Sequence, residues 1–306
     1  MFLVCGEALF DLFMAPRRGA ALGFEARLGG SPYNVAVGLA RLGAPVTFLG
    51  GIGADVLGDE IRAALAREGV ALGVPAPKVA KTTLSLVSLL ENGSPSYSFY
   101  GENGAERALM QSDLPISLAG VAALHVGSYS LVCDPVGETL LQLGRAARGQ
   151  CLVCVDPNVR LTVEPDRQIW RARLEAWLEL ADLVKVSEED LELLYPGEDH
   201  EAVLRGWLQR RPVLVCLTRG GEGAVAYRRQ GVLRAPAQNV HVVDTVGAGD
   251  TFQAALLSRL GKYPRAALEI LAESALHEAL TFAIRAAGIT CSRAGADLPR
   301  LAELAG

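Results

Sequence analysis

The sequence lacks the long apolar run that a membrane-spanning segment requires. Charged residues or glycines interrupt every apolar stretch short of the roughly 20 residues that cross a bilayer. The apolar N-terminus has no basic segment ahead of it, and Glu7 and Asp11 interrupt it early, so a buried first strand explains it better than a signal peptide. We therefore expect a cytoplasmic protein with no membrane partner.

An excess of positive charge is also missing. The formal net charge is −5 at pH 7, and the basic residues are scattered along the chain. A nucleic-acid-binding protein needs a basic face, and no such face is visible. The sequence therefore predicts no nucleic-acid partner.

Cysteine and histidine are few and dispersed. Cys151 and Cys154 form a C-x-x-C pair, but neither a second pair nor a histidine cluster completes a zinc site. We interpret all six cysteines as buried small hydrophobes in a reducing compartment. They are Cys5, Cys133, Cys151, Cys154, Cys216 and Cys291. The four histidines are isolated from one another and indicate no metal site.

Two common nucleotide-binding patterns are absent. Gly261-Lys262 is followed by Tyr263 and has no upstream glycine, which excludes a P-loop mechanism. Gly221-x-Gly223 formally begins a dinucleotide fingerprint, but residues 224–227 read as a strand, whereas that fingerprint must open a helix. We therefore reject this fingerprint, and a nicotinamide-dependent oxidoreductase stays as an alternative that lacks its strand–fingerprint–helix unit here.

Half of the 306 residues are hydrophobic, which is enough for one large α/β domain or two small ones. Apolar runs with little alternation are separated by helical patterns, as in a parallel sheet covered on both faces. Runs over residues 83–90 and 96–100 flank Asn92-Gly93, a strong hairpin signal. We predict a single domain over residues 1–306, with a small β lid built from segments near 9–30 and 82–107.

One stretch carries the chemistry most clearly. An extended run over residues 240–243 is followed by a glycine turn and then by a helical run from Gln253, which predicts a strand, a turn and a helix. Gly247 and Gly249 allow the sharp turn. The N–H groups of Ala248, Gly249 and Asp250 then point out of a helix N-terminus, which is an anion site.

Asp250 has two interpretations at this point. It caps or charges the first helical turn, which favours acidic residues. Alternatively, it accepts a proton from a hydroxyl group while the neighbouring N–H groups hold the phosphoryl group that this hydroxyl attacks.

The run Asp244-Thr245-Val246-Gly247-Ala248-Gly249-Asp250 resembles the signature of the ribokinase-like (phosphofructokinase-B type) carbohydrate kinases, and the resemblance extends over nearly the whole chain. It implies a three-layer sandwich with a central, mostly parallel sheet and a small β-sheet lid. It implies ATP and Mg²⁺, with Asp250 as catalytic base and Gly247, Ala248 and Gly249 as the anion hole. It also implies a candidate K⁺ loop at Asp244 and a candidate homodimer through the lid.

The sugar side is implied by two further motifs. Gly29-Gly30-Ser31-Pro32-Tyr33-Asn34 reads as a turn with Ser31 as N-cap and Pro32 at the first helical position. It also resembles the family's amino-terminal signature, which implies that Gly29, Gly30, Asn34 and the lid-edge Asp11 bind sugar hydroxyls.

Asp156-Pro157-Asn158-Val159-Arg160 leaves the carboxyl end of a strand, and its plain interpretation is a surface loop with an exposed arginine. It resembles the corresponding run of fructokinases and 2-keto-3-deoxygluconate kinases, which implies that Arg160 contacts the substrate or a phosphate. The lid run that includes Tyr97 and Phe99 resembles that of fructokinases and implies substrate contacts.

The nucleotide side shows departures from the family pattern. Ser187 and Asp190 stand where relatives have Asn-x-x-Glu, and their plain interpretation is an N-cap with an acidic first turn. The resemblance implies that Asp190 helps to hold Mg²⁺ through water. The remaining residues implied to bind ATP are Lys185, Ser187, Thr218, Gly220, Gly223, Gly247, Gly249, Ala283 and Ala287. Ile284 occupies a position where relatives often have Asn.

The sequence as a whole predicts an ATP-dependent kinase that converts fructose to fructose 6-phosphate. The alternative is a 2-keto-3-deoxygluconate kinase or another sugar kinase of this family, although Tyr100 is followed by Gly101 rather than by the arginine typical of the keto-acid enzymes. A non-catalytic sugar-binding or regulatory protein is a third class, whose expected sign is a lost base or a filled anion hole.

Overall fold

The structure, a computed structural model, describes residues 1–74, 76–89 and 95–304, with the backbone alone described for residues 16–18, 88–89 and 95–97. In chain order the strands are β1 (Phe2–Cys5), β2 (Leu9–Arg18), β3 (Ala21–Gly29), β4 (Val46–Leu49), β5 (Ala71–Leu72), β6 (Leu84–Leu89), β7 (Pro95–Tyr100), β8 (Ala123–Gly127), β9 (Leu152–Asp156), β10 (Leu183–Ser187), β11 (Leu214–Thr218), β12 (Ala224–Arg228) and β13 (Gly231–Ala235). The helices are α1 (Ser31–Arg41), α2 (Val56–Arg67), α3 (Val136–Ala147), α4 (Arg167–Leu178), α5 (Glu188–Leu194), α6 (His200–Leu208), α7 (Ala248–Leu260), α8 (Arg265–Glu269) and α9 (Glu273–Cys291).

The main sheet has the order β13-β12-β11-β10-β9-β8-β1-β4-β5. All neighbours are parallel from β5 to β11, and β12 and β13 add an antiparallel edge. The chain therefore adds strands on both sides of β1, which makes the gap between β1 and β8 the topological switch point. In open α/β sheets, ligands bind at the carboxyl ends of the strands near such a point.

The residues of β1 illustrate why both faces of the parallel strands are apolar. Successive side chains of a strand point to opposite faces of the sheet. Phe2 and Val4 belong to the apolar cluster beneath α1, α2, α7 and α9, and Leu3 and Cys5 belong to the cluster beneath α3, α4 and α6. Both faces are covered, which confirms the predicted α/β fold with a mostly parallel sheet between helical layers.

A second sheet, called here the small sheet, has the order β3-β2-β6-β7. Its strands pair antiparallel except for β2 and β6, which are parallel. It arises from the two segments predicted to form a lid, and its role as a lid stays a prediction. The predicted Asn92-Gly93 turn lies outside the described residues.

Three local predictions were wrong. Residues 240–243 form no strand, because Val242 and Val243 are more than half exposed and the N–H of Val243 donates to the carbonyl of Cys291 at the end of α9 instead of to a strand. The six cysteines are free, but Cys151 and Cys291 are only half-buried. The sequence also predicts a helix over residues 273–287, and α9 continues beyond that range to Cys291. Within the described ranges, no helix is long and apolar enough to cross a membrane.

Candidate active site

The catalytic-base candidate lies in the first turn of α7. The turn before this helix depends on Gly247, the N-cap, which has a φ of 77° and therefore adopts a left-handed conformation that glycine tolerates. Asp250 is the third residue of α7 and is 8% exposed. It makes no capping hydrogen bond to its own helix, so the plain interpretation of Asp250 as an N-cap is not supported.

The Asp250 carboxylate is instead held by α1. The hydroxyl of Ser31 donates to Oδ1 over 2.6 Å, and the amide Nδ2 of Asn34 donates to Oδ2 over 2.8 Å. Ser31 was predicted as the N-cap of α1, but that position belongs to Gly30, whose φ of 103° suits glycine alone. Two residues of the predicted sugar motif thus orient the predicted base.

The start of α7 leaves donors open to an anion. The N–H of Ala248 donates to the carbonyl of Thr245, so one of the three predicted donors is engaged. The N–H groups of Gly249 and Asp250 have no backbone acceptor among the described residues. A phosphoryl oxygen placed there would meet two donors and the positive end of the helix dipole.

Among the predicted sugar residues, Asp11 lies near enough to Arg160 and Asp250 for their charges to act on it. Asp11 of β2 lies against Gly29 of β3, where a Cβ atom would stand 2.3 Å from Oδ2 of Asp11. Burial raises the pKa of Asp11, and the charge of Arg160 acts in the opposite direction, as expected for neighbours. The ring of Phe99 on β7 contacts the ring of Tyr129 edge-on, with centroids 5.8 Å apart.

Arg160 and Tyr97 are the remaining residues that were predicted to contact the substrate. The Arg160 guanidinium donates to the carbonyl of Val159 over 3.0 Å, which folds the side chain back over its own loop. The side chain of Tyr97 lies outside the described residues, so its predicted substrate contact stays a prediction.

Glu7 is a buried carboxyl group at the carboxyl end of β1 that sequence reasoning did not single out. It is 1% exposed, and the hydroxyl of Ser130 donates to its Oε2 over 2.5 Å. Burial raises the pKa of Glu7 to about 7, against the opposing effects of hydrogen bonds from Ser130 and Ser128 and of the charge of Arg160.

The raised pKa of Glu7 predicts a loss of stability as the pH rises. The folded state holds the proton up to about pH 7, whereas the unfolded carboxyl releases it near its ordinary pKa of 4.5. Folding stability therefore falls between those two values, by about 3 kcal/mol for this group. Glu7→Gln stays neutral and should lack that fall, which urea unfolding of both proteins at pH 5 and pH 8 would measure. Parallel pH dependences for the two proteins would contradict the assignment, since every other titrating group is common to both.

The predicted nucleotide residues lie along the carboxyl ends of β10 and β11. Ser187 caps α5 in a capping box with Asp190. The two carboxylate oxygens of Asp190 accept from the N–H of Val159 and from the N–H and hydroxyl of Ser187. Both oxygens of Asp190 are thus engaged within the protein, and its predicted water-mediated contact with Mg²⁺ stays a prediction.

The remaining nucleotide candidates differ in exposure. Thr218 ends β11, and a turn over Gly220–Glu222 leads into strand β12. Because a strand and not a helix follows the glycines, the structure agrees with the rejection of the dinucleotide fingerprint. A Cβ atom on Gly223 would lie 2.2 Å from the carbonyl oxygen of Ala235, so this glycine allows two chain segments to pack. Ala283 is fully buried in the core and Ala287 is half-buried, so of the two only Ala287 has surface that a nucleotide can contact.

Asp244 ties the segment before α7 to the loop after α9. Its Oδ1 accepts from the N–H of Val246 and its Oδ2 from the N–H of Gly295. Across the described part of the chain, no group of three or more His, Cys, Asp or Glu side chains is arranged to hold a metal ion.

The positive φ angles of two residues other than glycine were not predicted from the sequence. Ser128 and Asn158 have φ values of 60° and 39° and follow β8 and β9 at the edge of the sheet that carries the site. Such strained residues cluster at binding sites. No sequence signal marks Ser128, whereas Asn158 is a residue type that tolerates this conformation.

Comparison with known proteins agrees with this geometry. Residues 2–303 match the model of the pfkB family carbohydrate kinases. A fructokinase of Rhizobium leguminosarum bv. trifolii is 36% identical over 260 residues, which are 85% of this chain and 79% of the relative.

Solved structures give the same result. The fructokinase of Xylella fastidiosa with bound ATP superposes with a TM-score of 0.89 at 30% identity, over 99% of this chain and 96% of that one. The fructokinase of Vibrio cholerae O395 in a form with fructose, ADP and calcium ion gives a TM-score of 0.86 at 29% identity, over 99% and 97% of the two chains.

Proposed function

The chain belongs to the pfkB family of carbohydrate kinases, and on that premise we propose that it is a fructokinase that transfers the γ-phosphoryl group of ATP to fructose, giving fructose 6-phosphate. The observation that carries the proposal is the setting of Asp250. One carboxylate lies beside open N–H donors at the start of α7, and Ser31 and Asn34 of the predicted sugar motif donate to it. This arrangement would bring the acceptor hydroxyl of the sugar and the transferred phosphoryl group together beside Asp250.

Asp250 acts as the general base in this proposal. Ser31 and Asn34 each donate to one of its oxygens, which fixes the plane of the carboxylate and leaves lone pairs for the sugar hydroxyl. Proton transfer to a positioned carboxylate lets the sugar oxygen attack as its charge develops. Asp11 and Asn34 orient the sugar through its neighbouring hydroxyls.

The start of α7 and Lys185 hold the group that is transferred. The N–H groups of Gly249 and Asp250 stabilise the charge on the phosphoryl oxygens, because they are fixed in place before the reaction. When bound, Mg²⁺ neutralises charge on the nucleotide phosphates. Closure of the small sheet over the sugar would exclude water, which otherwise competes as an acceptor.

Use of a nucleotide and of metal ions by this chain is supported by the related structures with ATP, or with ADP and a calcium ion. We propose Mg²⁺ as the divalent ion and the loop around Asp244 as a K⁺ site. The free thiols agree with a cytoplasmic location, which is also part of the proposal.

The sugar assignment has a direct test. ADP release from ATP and Mg²⁺ is measured with fructose, ribose, 2-keto-3-deoxygluconate, tagatose and glucose. We expect strong turnover with fructose alone. A preference for the keto acid would replace the assignment with the second candidate, and binding without turnover on any sugar would contradict the kinase.

We also propose a homodimer through the small sheet. Asp11 faces the site, so alternate residues of β2 and β3 face away, and among them Met14, Leu22 and Phe24 are 52%, 51% and 45% exposed. Met14 and Phe24 are cross-strand neighbours, so their side chains form one apolar patch. Light scattering should give the mass of two chains, and Phe24→Asp should give that of one. A single-chain mass for the unaltered protein would contradict the proposal.

A further inference from the structure

Lys185 is a buried cation in the middle of β10. It is 3% exposed, and its Nζ donates over 2.9 Å to Oδ2 of Asp156, which is fully buried at the end of β9. A buried charge survives only when it is paired and hydrogen-bonded. Each member of the Lys185–Asp156 pair therefore depends on the other to remain charged in the interior.

The ammonium group of Lys185 lies directly behind the glycine turn. A Cβ atom added to Gly249 would stand 3.2 Å from Nζ. The positive end of α7 and the ammonium thus point to the same small region. A phosphoryl group placed there would be attracted by both, and the proposed reaction brings one to this region.

Asp156 is the carboxylate that fixes the ammonium. Burial acts to lower the pKa of Lys185, but the charges of Asp156, Asp190 and Asp250 outweigh it and raise this pKa above its ordinary value. Asp250 is held by Ser31 and Asn34, and Asp190 by donors from two loops. Among the described contacts of these three carboxylates, only that of Asp156 is a hydrogen bond to Nζ.

We propose that Asp156 is a positioning residue for phosphoryl transfer: its carboxylate holds the Lys185 ammonium against the glycine turn, where the ammonium neutralises charge on the group in transit. This inference rests on the proposed kinase function. Lys185 then contributes more to the transition state than to the bound nucleotide, because the negative charge that it faces is greatest during transfer.

The kinetics of three variants distinguish a positioning role of Asp156 from a purely structural one. Asp156→Asn should lower kcat about tenfold to a hundredfold, as the loss of a supporting partner does, and should leave the KM for fructose unchanged. Lys185→Met should lower kcat by about a hundredfold to a thousandfold. The double variant should be no slower than Lys185→Met alone, because Asp156 acts through Lys185.

A binding measurement provides the second readout. ADP with aluminium fluoride imitates the phosphoryl group in transit, and transition-state mimics report the interactions made there. Both single variants should bind ADP alone normally and ADP with aluminium fluoride at least tenfold more weakly. If Asp156→Asn does not fold, the double variant, which removes both members of the Lys185–Asp156 pair, is compared with Lys185→Met in both measurements.

Asp182→Asn is the matched control. Asp182 is also fully buried, but it lies just before β10, at the opposite end of the strand, paired with Arg211. Its replacement should lower stability and leave kcat unchanged. Once turnover of the unaltered enzyme on a sugar is established, additive losses in the double variant, or unchanged binding of ADP with aluminium fluoride, would overturn the role of Asp156 alone. An unaltered enzyme that is inactive on every sugar would remove the proposed function, and this inference with it.

Discussion

Replacement of Asp250 by Asn should lower kcat by about a hundredfold to ten-thousandfold, the usual loss when a general base is removed. The asparagine keeps the size of the side chain and an oxygen for the hydroxyl of Ser31. It takes no proton from the sugar, so the bound hydroxyl remains a poor nucleophile. ADP release at saturating fructose and ATP measures the loss, and calorimetry should show that fructose still binds.

The control for this prediction is Asp199→Asn. Asp199 is the N-cap of α6, and asparagine caps a helix as well as aspartate does, so kcat should not change. An Asp250→Asn enzyme with near-normal turnover would remove Asp250 as the base and return it to the role of a first-turn carboxylate.

Trp177→Ala should cost about 3–5 kcal/mol of the free energy of unfolding, the range for the truncation of a buried tryptophan. Trp177 is fully buried on α4 beneath the main sheet. Its ring packs so closely on α3 that a Cβ atom at Gly144 would lie 2.4 Å from Cζ3. Because the neighbours of the ring lie in regular helices, the cavity cannot collapse. Urea unfolding followed by circular dichroism measures the shift.

Ile169→Ala on the same helix is the matched comparison. Ile169 is 40% exposed, so its loss should change stability by no more than about 0.5–1 kcal/mol. Equal losses for the two variants would show that the stability of α4 does not come from the buried tryptophan.

Some parts of the fold follow directly from local sequence. The parallel strands were predicted from apolar runs of the kind that β1 displays, and the turn before α7 from Gly247 and Gly249. In each case the residues on which the prediction depends lie within about ten positions of one another. The run over residues 240–243 failed for the opposite reason: its β-branched residues favour a strand, but no strand lies beside it to accept its hydrogen bonds.

The site could be predicted only in part. The resemblance to a family indicated Asp250 and Asn34, but not that one donates to the other across 216 residues of chain. The pairs Lys185–Asp156 and Glu7–Ser130 join residues 29 and 123 apart, and no periodicity encodes such partners. They depend on which strands become neighbours in the sheet, and a single sequence does not state that order.

The bonds from Ser31 and Asn34 to Asp250 also determine when activity can arise during synthesis. A ribosome makes Ser31 and Asn34, both in α1, 219 and 216 residues before it makes Asp250, the proposed base. A chain released before α7 contains all the described strands of the main sheet, yet it lacks the proposed base and the proposed anion hole. We therefore expect such a chain to have no kinase activity, even where its sheet has formed.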